Sequence, residues 1–319
     1  MIDINAIDPD LRAALEQSRA GRFADQSFAQ ARDGMDAMLA KIGPLVDPAL
    51  FERVSVNTGD RAVTGQLYRP TERKESDPLP VMLWFHGGGF FMGRLSNGDP
   101  MCLDIANRSG CAVLSVNYRL IPEHPYPAAI DDAVAMLAWV QEQVSALGLD
   151  AGRLAVGGVS AGGCIAAALA LRARDQGLPP IRFQLLMIPV IDHRLETPSA
   201  LVTTDPRVWN RNLSQRSWQS YLSQVIGEVP GDASPARAAD LSGLPPAFIS
   251  VEEHDLLRDE GIDYARRLMQ AGVTTELHCY PGTYHGSFAF TPQADVSQRH
   301  MGDAIHALAK AMRCESTPA

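Results

Sequence analysis

The 319-residue chain lacks any uncharged apolar stretch of the about 18 residues that a membrane-spanning helix needs. Its first ten residues, Met1 to Asp10, also lack the basic start and apolar core of a secretory leader. Both absences predict a cytoplasmic protein with no stable membrane insertion. Cysteine is sparse: five residues, at 102, 111, 164, 279 and 314, odd in number and without C-x-x-C spacing. That pattern argues against a disulfide framework and against a zinc site, and predicts free thiols. His193, His278, His300 and His306 show no H-E-x-x-H spacing, so no metal is expected. Positive charge is in deficit, with 28 Lys and Arg against 37 Asp and Glu, a net charge of -9 and a pI near 5.4. Phosphate-backbone binding needs a basic face, so nucleic acid is excluded as a partner. No internal repeat or extended low-complexity segment is present.

What is there suits one large globule. The chain is 46% hydrophobic and 20% charged, ordinary for a packed domain, and its length allows one substantial core without a second catalytic domain. Residues 51 to 56 and 63 to 68 flank a polar turn and read as a hairpin-like pair. Apolar strands then follow near 81 to 85, 112 to 116, 154 to 158, 183 to 188, 247 to 251 and 275 to 280. Helical patterns alternate with them near 98 to 109, 131 to 147, 161 to 175, 258 to 271 and 297 to 313. Such alternation predicts an α/β fold, with a mostly parallel central sheet and helices on both faces. Ahead of it, Asp10 to Leu39 has helical character, with Leu11, Leu15, Phe23, Phe28, Met35, Met38 and Leu39 spaced through polar residues. Between Pro189 and Gly243 the alternation stops in favour of a long polar and aromatic insertion.

Two glycine motifs carry the chemistry. Gly158-Val159-Ser160-Ala161-Gly162 fits G-x-S-x-G, a pattern that arises by chance in roughly one chain in eight of this glycine content, so its setting must decide. A short apolar strand precedes it and a small, apolar helix follows, the strand-turn-helix context that exposes a nucleophilic serine hydroxyl. His86-Gly87-Gly88-Gly89-Phe90 is rarer and emerges straight from the apolar run Val81 to Phe85. Consecutive glycines leave backbone N–H groups free to donate to an oxyanion. A nucleophilic serine then needs a base and an orienting carboxylate. Acids cluster after the strand at 247 to 251, as Glu252, Glu253, Asp255, Asp259 and Glu260, and His285 follows the strand at 275 to 280. Loops at the carboxyl ends of parallel strands can converge on one site.

With these residues in view, the chain resembles the hormone-sensitive-lipase-like, HGGG-motif bacterial esterases of the α/β-hydrolase superfamily. The resemblance spans nearly the whole chain: His86 to Phe90, Tyr118 to Ala129, Gly158 to Gly163, Asp255 to Glu260 and His285-Gly286. It implies Ser160 as nucleophile, Asp255 as triad acid, His285 as base, and the amides of Gly88, Gly89 and Ala161 as oxyanion hole. It also implies an α/β-hydrolase fold over residues 1 to 319, with a helical cap formed by about 1 to 45 and about 190 to 240. Implied too are a small-molecule ester substrate, short acyl chains, no cofactor, and a homodimer through the sheet edge at 275 to 280. Three positions depart from the family: Val159 stands for the usual Asp or Thr, Ile121 for Ala, and Leu256 for Pro. None removes a catalytic group, but Val159 offers the neighbouring loops no polar side-chain contact.

Phe90, Phe91, Trp209, Trp218, Tyr221 and Phe288 are candidates to line the substrate cleft, with cap packing as their alternative role. His254 adjoins Asp255 but points the other way along an extended segment, so it is not the base. His86 is expected to brace the glycine loop, and Arg119 to pair with Glu123 across a proline-stiffened loop. The resulting reaction is two-step acyl transfer to water. Amide cleavage or acyl transfer by the same triad, and a non-catalytic ligand-binding member, are the alternatives.

Overall fold

A computed structural model describes residues 1–18, 23, 26–59, 61–72 and 78–313; the side chains of Met38 and Leu39, and Cys314 entirely, lie outside the described residues. Eight strands form one sheet: β1 (Phe51–Asn57), β2 (Ala62–Tyr68), β3 (Leu79–Phe85), β4 (Ala112–Asn117), β5 (Leu149–Val159), β6 (Phe183–Met187), β7 (Ala247–Glu252) and β8 (Thr275–Tyr280). Their spatial order is β1-β2-β4-β3-β5-β6-β7-β8. β2 runs antiparallel to both β1 and β4, and every pair from β4 across to β8 is parallel. The hairpin and the six later strands thus stand where the sequence pattern places them.

Burial explains that legibility. All seven residues of β3 are buried, as are all of β6 and β7. A parallel strand covered by helices on both faces must read as a continuous apolar run. The helices are α1 (Arg12–Gln17), α2 (Phe28–Ile42), α3 (Leu95–Ser109), α4 (Ala128–Gln143), α5 (Ala161–Gln176), α6 (Pro198–Val202), α7 (Arg211–Tyr221), α8 (Arg258–Gln270), α9 (Ser287–Phe290) and α10 (Asp295–Ala311). One apolar cluster joins α4, α5 and α8 to one face of the sheet; a second joins α3 and α10 to the other. α5 is buried through its first eleven residues. Its glycines and alanines, with no side chain or only a methyl, let it lie close against the strands.

Among the described residues, the stretch of helical character at 10 to 39 holds two α-helices, α1 and α2. α1 stops at Gln17 because Ser18 turns to extended backbone (ψ 141°) and its hydroxyl donates to the carbonyl of Arg207. That partner is distant in the chain, so the stop is tertiary and invisible in local periodicity. α4 starts at 128 and ends at 143, earlier at both ends than the pattern at 131 to 147. The insertion after β6 holds α6 and α7, and an aromatic and aliphatic cluster ties it and α2 to Phe90, Phe91 and Met92, which follow the glycine run at 87 to 89. Among the described residues, no helix is long and apolar enough to cross a membrane.

Candidate active site

Because β3, β5, β7 and β8 run parallel, their carboxyl ends share one edge of the sheet, and the four loops carrying the motifs leave from that edge. β5 delivers Ser160 at a turn whose backbone (φ 57°, ψ -117°) is rare for a residue with a Cβ. Two bonds hold that turn: Ser160 N–H donates to Met187 C=O at 2.9 Å, and Val190 N–H donates to Ser160 C=O at 3.1 Å. The flanking glycines are dictated by space. A Cβ on Gly162 would fall 1.9 Å from the carbonyl oxygen of Phe85, and one on Gly158 would fall 2.4 Å from the Gly162 backbone. Only bare backbone lets the elbow seat against the end of β3.

Three distant side chains meet there. Ser160 Oγ is 3.0 Å from His285 Nε2, and His285 Nδ1 is 2.7 Å from Asp255 Oδ2. Asp255 is 1% exposed, and its other oxygen accepts from Leu257 N–H at 3.1 Å. The remaining acids are engaged elsewhere. Glu253 accepts from Gly282 N–H at 2.7 Å, and Asp259 accepts from Ser199 N–H at 2.7 Å and pairs with Arg258. His254 lies with Nε2 3.7 Å from Glu253, and it is His285, not His254, that bridges Ser160 and Asp255.

Glu252 has a part that residue type alone did not disclose. Fully buried, it accepts from Gly286 N–H at 2.6 Å and from the Ser287 hydroxyl at 2.8 Å, so it pins the loop that carries His285. Burial, and then the nearby charge of Asp255, push its carboxyl well above the usual range. Glu260 does a similar service for the start of the insertion, accepting from Ile191 N–H at 2.7 Å and Asp192 N–H at 3.2 Å. The signal for Glu252 was its place, as the last residue of a buried strand, where a carboxyl must have donors facing it.

The glycine loop lies against the elbow. A Cβ on Gly87 would stand 3.1 Å from Val159 C=O, 3.3 Å from Val159 Cγ1 and 3.5 Å from Ser160 Cβ, so Val159 supports this loop by packing where a polar residue would hydrogen-bond. Gly88 (φ 124°) and Gly89 (φ 58°) take left-handed backbone, followed by Phe90 at φ 67°. Among the described residues, the amides of Gly88, Gly89 and Ala161 make no backbone hydrogen bond outside helices and strands. His86 braces the loop: Nδ1 is 2.7 Å from Gly87 C=O, and the ring stacks on Tyr118 with centroids 4.4 Å apart. Burial lowers its pKa to about 4, so it stays neutral. Arg119 does not pair with Glu123. It holds the buried Asp132 at 3.0 Å, while Glu123 pairs with Arg32 of α2, a cation about ninety residues away in the chain that no local pattern places there.

The aromatic candidates divide. Phe90, Phe91, Trp218, Tyr221 and Phe288 are buried, Phe90 stacking on Tyr221 at 4.3 Å and Phe91 on Phe28 at 4.4 Å. Trp209 keeps partial exposure and stands 6.1 Å, centroid to centroid, from His285. Ser160 itself is only 5% exposed. Two open clefts, of about 290 and 360 Å³, flank the site; one is bordered by Asp255 and Arg258, the other by Arg32 and Met92, and neither by Ser160 or His285. Chemically, the set can place a hydroxyl, a base and free amides around one carbonyl carbon.

Residues 82–289 match the family described as alpha/beta hydrolase fold. The chain belongs to this family, in its hormone-sensitive-lipase-like branch. It is 39% identical to carboxylesterase NlhH of Mycobacterium tuberculosis over 293 residues, covering 88% of this chain and 91% of that protein. It is 34% identical over 295 residues to an ethyl acetate hydrolase of Pseudomonas putida, covering 88% and 91% of the two. Among solved structures, a bacterial heroin esterase superposes with a TM-score of 0.89 at 39% identity, over 98% of this chain and 99% of that one. The protein is accordingly an enzyme of the carboxylic ester hydrolase class.

Proposed function

We propose that the protein is a serine carboxylesterase that cleaves esters of short acyl chains through a Ser160-His285-Asp255 triad and an acyl-enzyme. The observation that carries this reading is the unbroken hydrogen-bonded chain from Ser160 Oγ through the imidazole to Asp255. His285 takes the serine proton as Oγ attacks the ester carbonyl, and the oxygen that becomes negative is received by the amides of Gly88, Gly89 and Ala161. His285 then returns the proton to the departing alcohol, and water repeats the sequence on the acyl-serine. Asp255 holds the imidazole with Nδ1 protonated and Nε2 open to the hydroxyl, and stabilises the imidazolium.

The preference for short chains is supported by the filled aromatic cluster of Phe90, Trp218 and Tyr221 beside the elbow, and by the relative whose name specifies ethyl acetate. α2 and the segment carrying α6 and α7 act as a cap over the serine. They are held to the core by Phe28 on Phe91 and by the Arg94–Asp36 and Arg32–Glu123 pairs. With Ser160 almost covered, substrate entry requires this cap to shift.

Ser160→Ala tests the assignment. Turnover of acetate and butyrate esters should vanish, along with labelling by a fluorophosphonate, while circular dichroism stays unchanged. Near-native turnover by a folded variant refutes the mechanism. Esters graded from acetate to laurate test chain length, and rising kcat/KM beyond octanoate contradicts it.

A further inference from the structure

In the proposed reaction, the tetrahedral carbon directs its substituents to fixed places. The oxyanion faces the glycine loop, and the ester oxygen must face His285 Nε2 to receive its proton. The alcohol half therefore leaves past the imidazole, and the acyl chain points elsewhere. Trp209 borders that exit. Its ring lies 6.1 Å from that of His285, and Cη2 is so near the loop that a Cβ on Gly89 would fall 2.3 Å from it. A side chain touching both the base and an oxyanion-loop glycine stands beside the leaving group. The indole is also held in place: Nε1 donates to Ser214 Oγ at 2.6 Å, and Phe91 stacks behind it at 6.2 Å and 25°. Among the six aromatic candidates, Trp209 alone is not buried.

We infer that Trp209 is a specificity-determining wall for the alcohol half of the ester, a fixed flat surface that selects planar aryl leaving groups over saturated rings of equal carbon count. This rests on the esterase reading above. Offset stacking adds about two- to tenfold over burial of the same area.

The test compares kcat/KM for phenyl acetate and cyclohexyl acetate, which share one acyl group and hence one acetyl-enzyme, in the wild type, Trp209→Phe and Trp209→Leu. Intrinsic reactivity cancels when each variant's ratio is divided by that of the wild type. Trp209→Leu should lower the phenyl-to-cyclohexyl ratio about two- to tenfold, and Trp209→Phe should retain most of it. The ratio of phenyl acetate to phenyl butyrate, which reports the acyl side, should stay within twofold. Trp209→Met serves the same comparison should the leucine variant melt below the assay temperature. An unchanged phenyl-to-cyclohexyl ratio in a folded variant overturns the inference and leaves the esterase reading standing. A shift confined to the acetate-to-butyrate ratio also overturns it, placing Trp209 on the acyl side. No turnover of any of these esters by the wild type overturns both readings.

Discussion

Glu252 lies one residue past the last β7 residue that faces the apolar core, and its removal should disable the site without touching a reacting atom. Glu252→Ala strands two donors, the part-buried Gly286 N–H and the buried Ser287 hydroxyl, each costing about 1–3 kcal/mol when unsatisfied. A cavity at a fully buried position adds roughly 1–2 kcal/mol. The sum, about 3–8 kcal/mol, is a large part of the roughly 5–15 kcal/mol that holds a domain folded. Melting should fall by roughly 5–15 °C. The freed loop also displaces His285, and a misplacement of about 1 Å lowers kcat on the order of a hundredfold. Glu252→Gln gives the opposite result. Because burial and Asp255 raise the carboxyl's pKa in the folded state, the fold favours the neutral acid, which the amide imitates in shape, its oxygen accepting from Gly286 N–H and its NH2 donating to a Ser287 hydroxyl turned to accept. That stabilisation is fully present below the unfolded glutamate range and is lost as pH rises, so Glu252→Gln should gain stability relative to the wild type above about pH 4.5. Thermal melts from pH 4 to 9 and kcat on phenyl acetate read both effects. Equal damage from Gln and Ala, with no pH trend between Gln and wild type, would show that a charged carboxylate is required and refute the reasoning.

Asp255→Asn should leave the fold intact but lower kcat by about 10³–10⁴, since an amide favours the wrong imidazole tautomer; steady-state kinetics with a melt as control decide it. Gly162→Ala, which would set a methyl 1.9 Å from Phe85 C=O, should cost more than about 4 kcal/mol or fail to fold, as urea unfolding would show. Burial holds the imidazoles of His86 and His300 at about 4 and about 3 in the fold. Their stability contribution is therefore complete above the unfolded value of about 6.5 and drains away as pH falls toward those figures, on the order of 3 kcal/mol each. His300→Gln should show a shallower loss of melting temperature between pH 6.5 and 4 than the wild type, and identical slopes would contradict this.

Much of the framework was legible because burial writes itself into composition. β3, β6 and β7 are buried throughout and mostly apolar since helices cover both faces, and α5 is rich in Ala and Gly since it lies hard against the sheet. The glycines at 158 and 162 were readable for the same steric reason. Where the pattern was silent or pointed elsewhere, the cause was a contact between residues far apart in the chain. Ser18 ends α1 through Arg207, and Glu123 answers to Arg32 rather than to Arg119. No local rule contains such partners.

The order of residues by itself determined which segments become strands, where the turns needing bare backbone fall, and which side chains are equipped for proton transfer. The folded chain decided which acid reaches His285. Glu252, Glu253, Asp255 and Asp259 lie within eight positions of one another, yet each carboxyl faces a different donor, and Asp255 alone stands 2.7 Å from the imidazole. The reason is geometric: hydrogen bonding depends on tenths of an ångström and on direction, and both are set by how β7, β8 and the loops beyond them pack, not by their spacing along the chain.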